Sequence, residues 1–147
     1  MKTIIFVFHG NICRSPAAEF IFKKIIKENN LEDQYHVYSR ALSYEEIGND
    51  IYPPMKEELR YNKIPFAYHE ANILTKREVE EADIIFYMDE SNRRIIEYMF
   101  KDNLDKFEPI FKYTPSIKKV EDPWYTRRFN FVVKQIEECI KDILKNI

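Results

Sequence analysis

Thr3-Ile4-Ile5-Phe6-Val7-Phe8 is an unbroken apolar run closed by His9-Gly10-Asn11, the pattern of a strand buried on both faces. Beyond it, Pro16 suits a first helical position, and Ala18, Ile21, Phe22, Ile25 and Ile26 recur on one helix face up to Asn29-Asn30. From Gln34 to Ser39, Tyr35, Val37 and Ser39 alternate with His36 and Tyr38, which predicts a second strand. A strand, a helix and a strand in that order imply a parallel pair. Ala41 to Tyr52, with Glu45, Glu46, Gly48, Asn49 and Asp50, reads as an exposed loop, and Pro53-Pro54 then opens a helix through Met55, Leu59 and Asn62.

Thr75-Lys76-Arg77-Glu78 matches a capping box and predicts a short helix before the apolar run Ile84 to Met88, a central strand. Asp89-Glu90-Ser91 can cap a further helix carrying Ile95, Ile96 and Met99. Phe107 to Phe111 is a weaker strand in which Pro109 favours an edge position. Phe129, Val132, Val133, Ile136, Ile140, Ile143, Leu144 and Ile147 form a sustained stripe, so the chain should finish in a long docked helix. The alternation predicts an α/β three-layer sandwich: a four-stranded parallel sheet with helices on both faces.

At 147 residues, without repeats, low-complexity tracts or linkers, the chain reads as one domain over residues 1–147. With 45% hydrophobic and 33% charged residues it suits a soluble protein, not a disordered or fibrous one. The net charge of −2, with the basic pairs Arg93-Arg94, Lys118-Lys119 and Arg127-Arg128 kept apart, gives no nucleic-acid footprint. The first apolar run is too short for a signal-peptide core, and no stretch approaches the roughly eighteen apolar residues of a membrane span. Cys13 and Cys139 share no spacing that suggests a disulfide framework or a zinc site, and a reducing cytoplasm is the expected setting. His36 and His69 have no partner at metal-ligand spacing, and no metal or other cofactor is expected.

Ligands of parallel sheets bind beyond the carboxyl ends of the strands, which is where the loop after Phe8 should lie. A loop running from a strand into a helix aims consecutive backbone NH groups at one point and adds the positive end of the helix dipole. Arg14 supplies a planar, permanently charged fork able to pair two phosphate oxygens. Gly10 and Asn11 tolerate the unusual backbone angles of a tight cradle. The loop is thus a candidate oxyanion site.

Phe8-His9-Gly10-Asn11-Ile12-Cys13-Arg14-Ser15-Pro16 resembles the signature loop of the low-molecular-weight protein tyrosine phosphatases, C-x-G-N-x-C-R-S-P. Glu121-Asp122-Pro123-Trp124-Tyr125 is similar to that family's acid loop, and Met88-Asp89-Glu90-Ser91-Asn92 to its M-D-x-x-N segment. Ser43 to Asn49 resembles the loop bordering the substrate cleft in bacterial members. The likeness implies a phosphotyrosine phosphatase I-like fold with flavodoxin-like strand order. It also implies metal-free hydrolysis of phosphotyrosine through a phosphocysteine. Phe8 then stands at the position of the attacking cysteine. By the same carry-over, His9 to Ser15 would form the phosphate-binding loop, Arg14 would hold the phosphoryl oxygens, Ser15 would bond the thiolate and Asn11 would brace the loop. Asp122 would be the general acid, and Glu45, Trp124 and Tyr125 would border the substrate cleft.

The resemblance therefore predicts a phosphatase inactive or severely impaired as written, acting in its parental form on phosphotyrosine proteins or small aryl phosphates and releasing inorganic phosphate. A monomer is expected. Cys13 precedes Arg14, where the family's second cysteine lies beside the nucleophile without attacking phosphate, and the His9 side chain is expected to point away from the cradle. A non-catalytic phosphotyrosine- or oxyanion-binding pseudo-phosphatase is the alternative. Arsenate reduction on the same fold would also need the missing thiol and a cysteine relay, and Asp-Pro-Trp argues against it. Plainer readings remain open: Asp122 before Pro123 could begin a turn, Trp124 and Tyr125 could be packing residues, and Glu45, Glu46 and Asp50 could be a solvated face.

Overall fold

The computed structural model describes residues 1–147. Strand β1 (Lys2–Phe8) leads into helix α1 (Arg14–Glu28), and after a 3-10 turn at Glu32–Gln34 the chain returns as β2 (Tyr35–Ala41). Helices α2 (Pro53–Tyr61) and α3 (Lys76–Glu81), strand β3 (Ile84–Tyr87) and helix α4 (Glu90–Met99) follow. A 3-10 stretch (Lys101–Lys106), strand β4 (Phe107–Pro109), the single turn α5 (Pro123–Thr126) and the long α6 (Phe129–Asn146) complete the order. All pairings are parallel and the strand order is β2-β1-β3-β4, so the doubly wound α/β sandwich expected from the pattern is the fold found. No helix is long and apolar enough to cross a membrane.

Period-two alternation assigns the two faces of the sheet. Ile4, Phe6, Phe86 and Met88 point into one layer, where they meet α1, α2 and α6 through residues such as Ile21, Phe22, Met55, Leu59, Ile136 and Ile140. Ile5, Val7, Ile85 and Tyr87 point the other way, against Val79, Ala82, Ile96, Phe100 and Phe107. Phe8 continues the parity of Ile4 and Phe6 and lies partly buried at the edge of the first layer, below the start of α1. That placement brings its side chain to the site described below.

Three elements differ in detail from their pattern. Helix α1 begins at Arg14, two residues ahead of Pro16, and a proline in the first turn costs no intrahelical bond because those NH groups have no partner there. In α4 only Asn92 and Ile96 are buried, and Met99 lies exposed, so the contact with the sheet is narrower than the apolar spacing implied. Pro109 ends β4 after three residues, at the edge of the sheet as expected. The Thr75 box forms in full, with the Glu78 NH donating to Oγ1 and the Thr75 NH donating to the Glu78 carboxylate.

Candidate functional site

The loop from His9 to Cys13 leaves the carboxyl end of β1 and delivers Arg14 as the first residue of α1. None of the five backbone NH groups from His9 to Cys13 donates to an acceptor of the chain. Asn11 sits at φ 60°, in the left-handed region that asparagine tolerates better than most residues. Its side-chain amide donates to Ser15 Oγ at 2.9 Å, and its backbone carbonyl lies 2.6 Å from His69 Nε2. The Asn72 NH reaches Asn11 Oδ1 at 3.4 Å. Asn11 thus braces the loop from three sides. Gly10 runs close to Glu46: a Cβ there would meet Glu46 Cγ at 3.3 Å, tight enough that the glutamate side chain would have to shift by a few tenths of an ångström.

Arg14 is 1% exposed. Its Nη1 donates to the Val120 carbonyl at 2.6 Å and to Asp89 at 3.1 Å, and Nη2 lies 3.6 Å from Asp122 Oδ2. Nε has no partner. The guanidinium carbon rests 3.6 Å from the centre of the Phe8 ring, stacked as a cation–π pair. Burial lowers the guanidinium pKa, opposed by the carboxylates of Asp122 and Asp89. Asp89 shows the converse: burial would raise its pKa, but the Ser91 hydroxyl, the Arg14 charge and the Asn92 NH together hold it below the ordinary carboxylate value. Asp89 therefore caps α4 through the Asn92 NH and anchors Arg14 with its other oxygen.

Asp122 is half-buried, with Oδ1 accepting from the Trp124 NH at 3.0 Å and Oδ2 toward Arg14. It is a helix cap, as the plainer reading held, and it also borders the cleft. Tyr52 ties the parts together. Its NH donates to the Ile12 carbonyl, its hydroxyl accepts from Arg127, and its ring packs 4.7 Å from Trp124 and 6.1 Å from Phe129.

A cavity of about 200 Å³ opens between the loop and this aromatic wall. Phe8, His9, Gly10, Ile12 and Cys13 of the loop line it. Glu45 and Glu46 from the loop after β2, and Asp122, Trp124 and Tyr125 from the start of α5, complete the lining. Nine of the residues expected at the site line this cavity, namely Phe8, His9, Gly10, Ile12, Cys13, Glu45, Asp122, Trp124 and Tyr125, and the other three, Asn11, Arg14 and Ser15, are buried beside them in the same loop and helix start. Ser15 Oγ is engaged by Asn11. His9, expected to turn away, borders the cleft with Nε2 3.0 Å from Glu45 Oε2. Burial raises the Cys13 thiol to about 12, Asp122 adding to the rise and Arg14 and Arg127 opposing it, so it is held as the unreactive thiol.

Two contributors went unseen in the sequence. In the sequence His69 has no partner at metal-ligand spacing and Asp89 reads as a helix cap within the M-D-x-x-N segment; the bonds of His69 to Asn11 and of Asp89 to Arg14 emerge only in the fold. His69 reaches the loop because Asn72 and Leu74 bond to Ala41 at the end of β2 and bring their segment beside Asn11. Nothing periodic in residues 62 to 74 signals that approach.

A strand-loop-helix turn with acceptor-free backbone NH groups and one buried arginine, at the carboxyl edge of a β2-β1-β3-β4 sheet, has the form of an anion-binding loop in an α/β protein. The family model for low molecular weight phosphotyrosine protein phosphatase matches residues 3–147, and the chain belongs to that family. The low molecular weight phosphotyrosine protein phosphatase of Sus scrofa is 34% identical, over 99% of this chain and 96% of that protein. The crystal structure of YfkJ from Bacillus subtilis superposes with a TM-score of 0.95 at 29% identity, covering 100% of this chain and 94% of that one. SP-PTP, the low molecular weight protein tyrosine phosphatase from Streptococcus pyogenes, gives 0.90 at 30% identity, covering 100% and 93%.

Proposed function

We propose that this chain is a phosphotyrosine phosphatase scaffold whose hydrolytic step is disabled because Phe8 occupies the position of the family's nucleophilic cysteine. The observation that carries the reading is the stacking of the Phe8 ring against the Arg14 guanidinium at 3.6 Å, where a thiolate would have to stand beside a bound phosphoryl group. A phenyl ring offers no electron pair for attack on phosphorus, and neither neighbour replaces it: Cys13 is protonated, and His9 is engaged with Glu45. Losing the nucleophile of a hydrolase costs something like 10⁶-fold in turnover, or roughly 8 kcal/mol of barrier.

The rest of the parental machinery has recognisable places. Arg14 would hold the phosphoryl oxygens, Asp122 would give its proton to the leaving phenol and then take one from water, and Trp124 and Tyr125 would flank the aromatic ring of the substrate. Ser15 and Asn11 would keep the loop in shape. The reading treats residues 1–147 as a single, monomeric, cytoplasmic domain using no cofactor. Aryl phosphate hydrolysis by the unaltered chain should be negligible, and Phe8→Cys should raise it by several orders of magnitude. Full activity before substitution, or a phosphorylated side chain trapped on the unaltered protein, would refute the proposal.

A second reading is favoured by the five NH groups without acceptors and the unpartnered Arg14 Nε, which together are donors suited to an anion. On that reading the protein retains oxyanions or phosphotyrosine without turning them over. Calorimetry with phosphate or vanadate distinguishes the two: binding lost in Arg14→Ala supports retention, and no heat of binding means that the Phe8 ring fills the cradle.

A further inference from the structure

The site draws two of its groups from the irregular segment Lys119 to Asp122, which runs into the start of α5. The Val120 carbonyl accepts from Arg14 Nη1 at 2.6 Å, and Asp122 turns Oδ2 to within 3.6 Å of Arg14 Nη2. No strand ladder holds this stretch, so its buried backbone groups need partners from elsewhere. The Val120 NH finds the Met88 carbonyl at 3.2 Å, just past β3. The peptide groups on either side of Val120 are both met by one side chain of α6. Gln135 Oε1 accepts from the Glu121 NH at 3.2 Å, and Gln135 Nε2 donates to the Lys119 carbonyl at 3.4 Å. Its helical neighbours Val132, Val133, Ile136 and Cys139 are fully buried, which fixes the amide relative to the core.

We propose that Gln135 is a positioning residue for Asp122. The inference rests on the reading of Asp122 as the parental proton donor, and it names what holds that donor in place. A primary amide offers an acceptor and a donor side by side, as a strand edge does, so Gln135 clasps the chain across Val120 much as a neighbouring strand would. With the clasp in place the Asp122 backbone cannot drift from Arg14, whose own position is secured twice, at the Val120 carbonyl and at Asp89, 3.1 Å away. Without it, the Glu121 NH and the Lys119 carbonyl lose their partners and the segment is free to turn them to water. The loss falls on the acid and spares the arginine, because Asp89 keeps its bond to Arg14. Arg128 also grips Glu121, with Nε 2.9 Å from Oε2, but Arg128 is exposed and ties down a side chain, not the backbone.

Gln135→Met keeps the length of the side chain and removes its amide. In the Phe8→Cys protein it should lower kcat/KM for phenyl phosphate, whose leaving phenol needs a proton, by roughly tenfold or more. For dinitrophenyl phosphate, whose leaving group departs as a stable anion, the loss should stay under roughly twofold. In the otherwise unaltered chain the same change should speed amide exchange at Trp124, whose NH donates to Asp122 Oδ1, by roughly fivefold, with exchange at Phe6 and Phe86 in the sheet unchanged. Gln135→Leu should repeat both patterns. Equal losses on the two esters, no loss on either, unchanged exchange at Trp124, or exchange that speeds equally throughout the sheet would overturn the proposal. Its failure is separable from failure of the catalytic reading: if the Phe8→Cys protein turns over neither ester, that reading falls, and exchange at Trp124 still decides whether Gln135 holds Asp122.

Discussion

On the proposed function Phe8 does two things at once: it stands where a nucleophile would be needed, and it gives the buried Arg14 guanidinium a partner on its flat face. The same substitution that should restore turnover should therefore weaken the fold. Phe8→Cys removes ring contacts with the first core layer together with the cation–π stack, and should lower stability by about 1–3 kcal/mol, read from the urea midpoint at constant m-value. An unchanged or higher midpoint would mean that the stack contributes nothing. At this scale the sequence was informative where chemistry is local. The loop residues, Asp122, Trp124 and Tyr125 were all identifiable and all lie around the cleft. His69 was not, because its bond to Asn11 spans 58 positions and depends on how the 62 to 74 segment folds back along β2. Nor was the second bond of Asp89, since a helix cap is visible within one turn and a contact with Arg14 across the sheet edge is not.

Among the elements, those specified by neighbours within a turn or by strict periodicity matched their patterns. β1, β2 and α6 follow their alternation or stripe, and Cys139 joins the buried face of α6 beside Ile136, Ile140 and Ile143. The start of α1 was misplaced because the loop geometry, and no local signal, sets where helical angles begin; Met99 was misjudged because spacing does not say how wide the facing surface is. Helix α3 is only six residues long, so its cap carries an unusual share of its order. Thr75→Ala should cost about 1 kcal/mol and should speed amide exchange at Glu78 before the rest of the sheet responds. Equal protection in the variant would show that packing of Val79 holds the helix without the box.

For the molecule as a whole, the two thiols make alkaline stability a readable property. Burial raises both Cys13 and Cys139 from 9.0 to about 12, so the native state keeps protons that the unfolded chain releases. Their contribution is fully present below pH 9.0 and is lost as the pH climbs toward about 12. Across that window each thiol should remove about 1.4 kcal/mol of stability per pH unit. A Cys13→Ala/Cys139→Ala protein, followed by urea unfolding at several pH values, should decline less steeply; identical slopes would contradict the burial described. Tyr52 carries a different consequence. One residue fastens Ile12 through its NH, Arg127 through its hydroxyl, and Trp124 and Phe129 through its ring. The two banks of the cleft are thereby riveted to a common post, so the loop and the Trp124 wall cannot part without giving up the bonds and ring contacts of this one tyrosine.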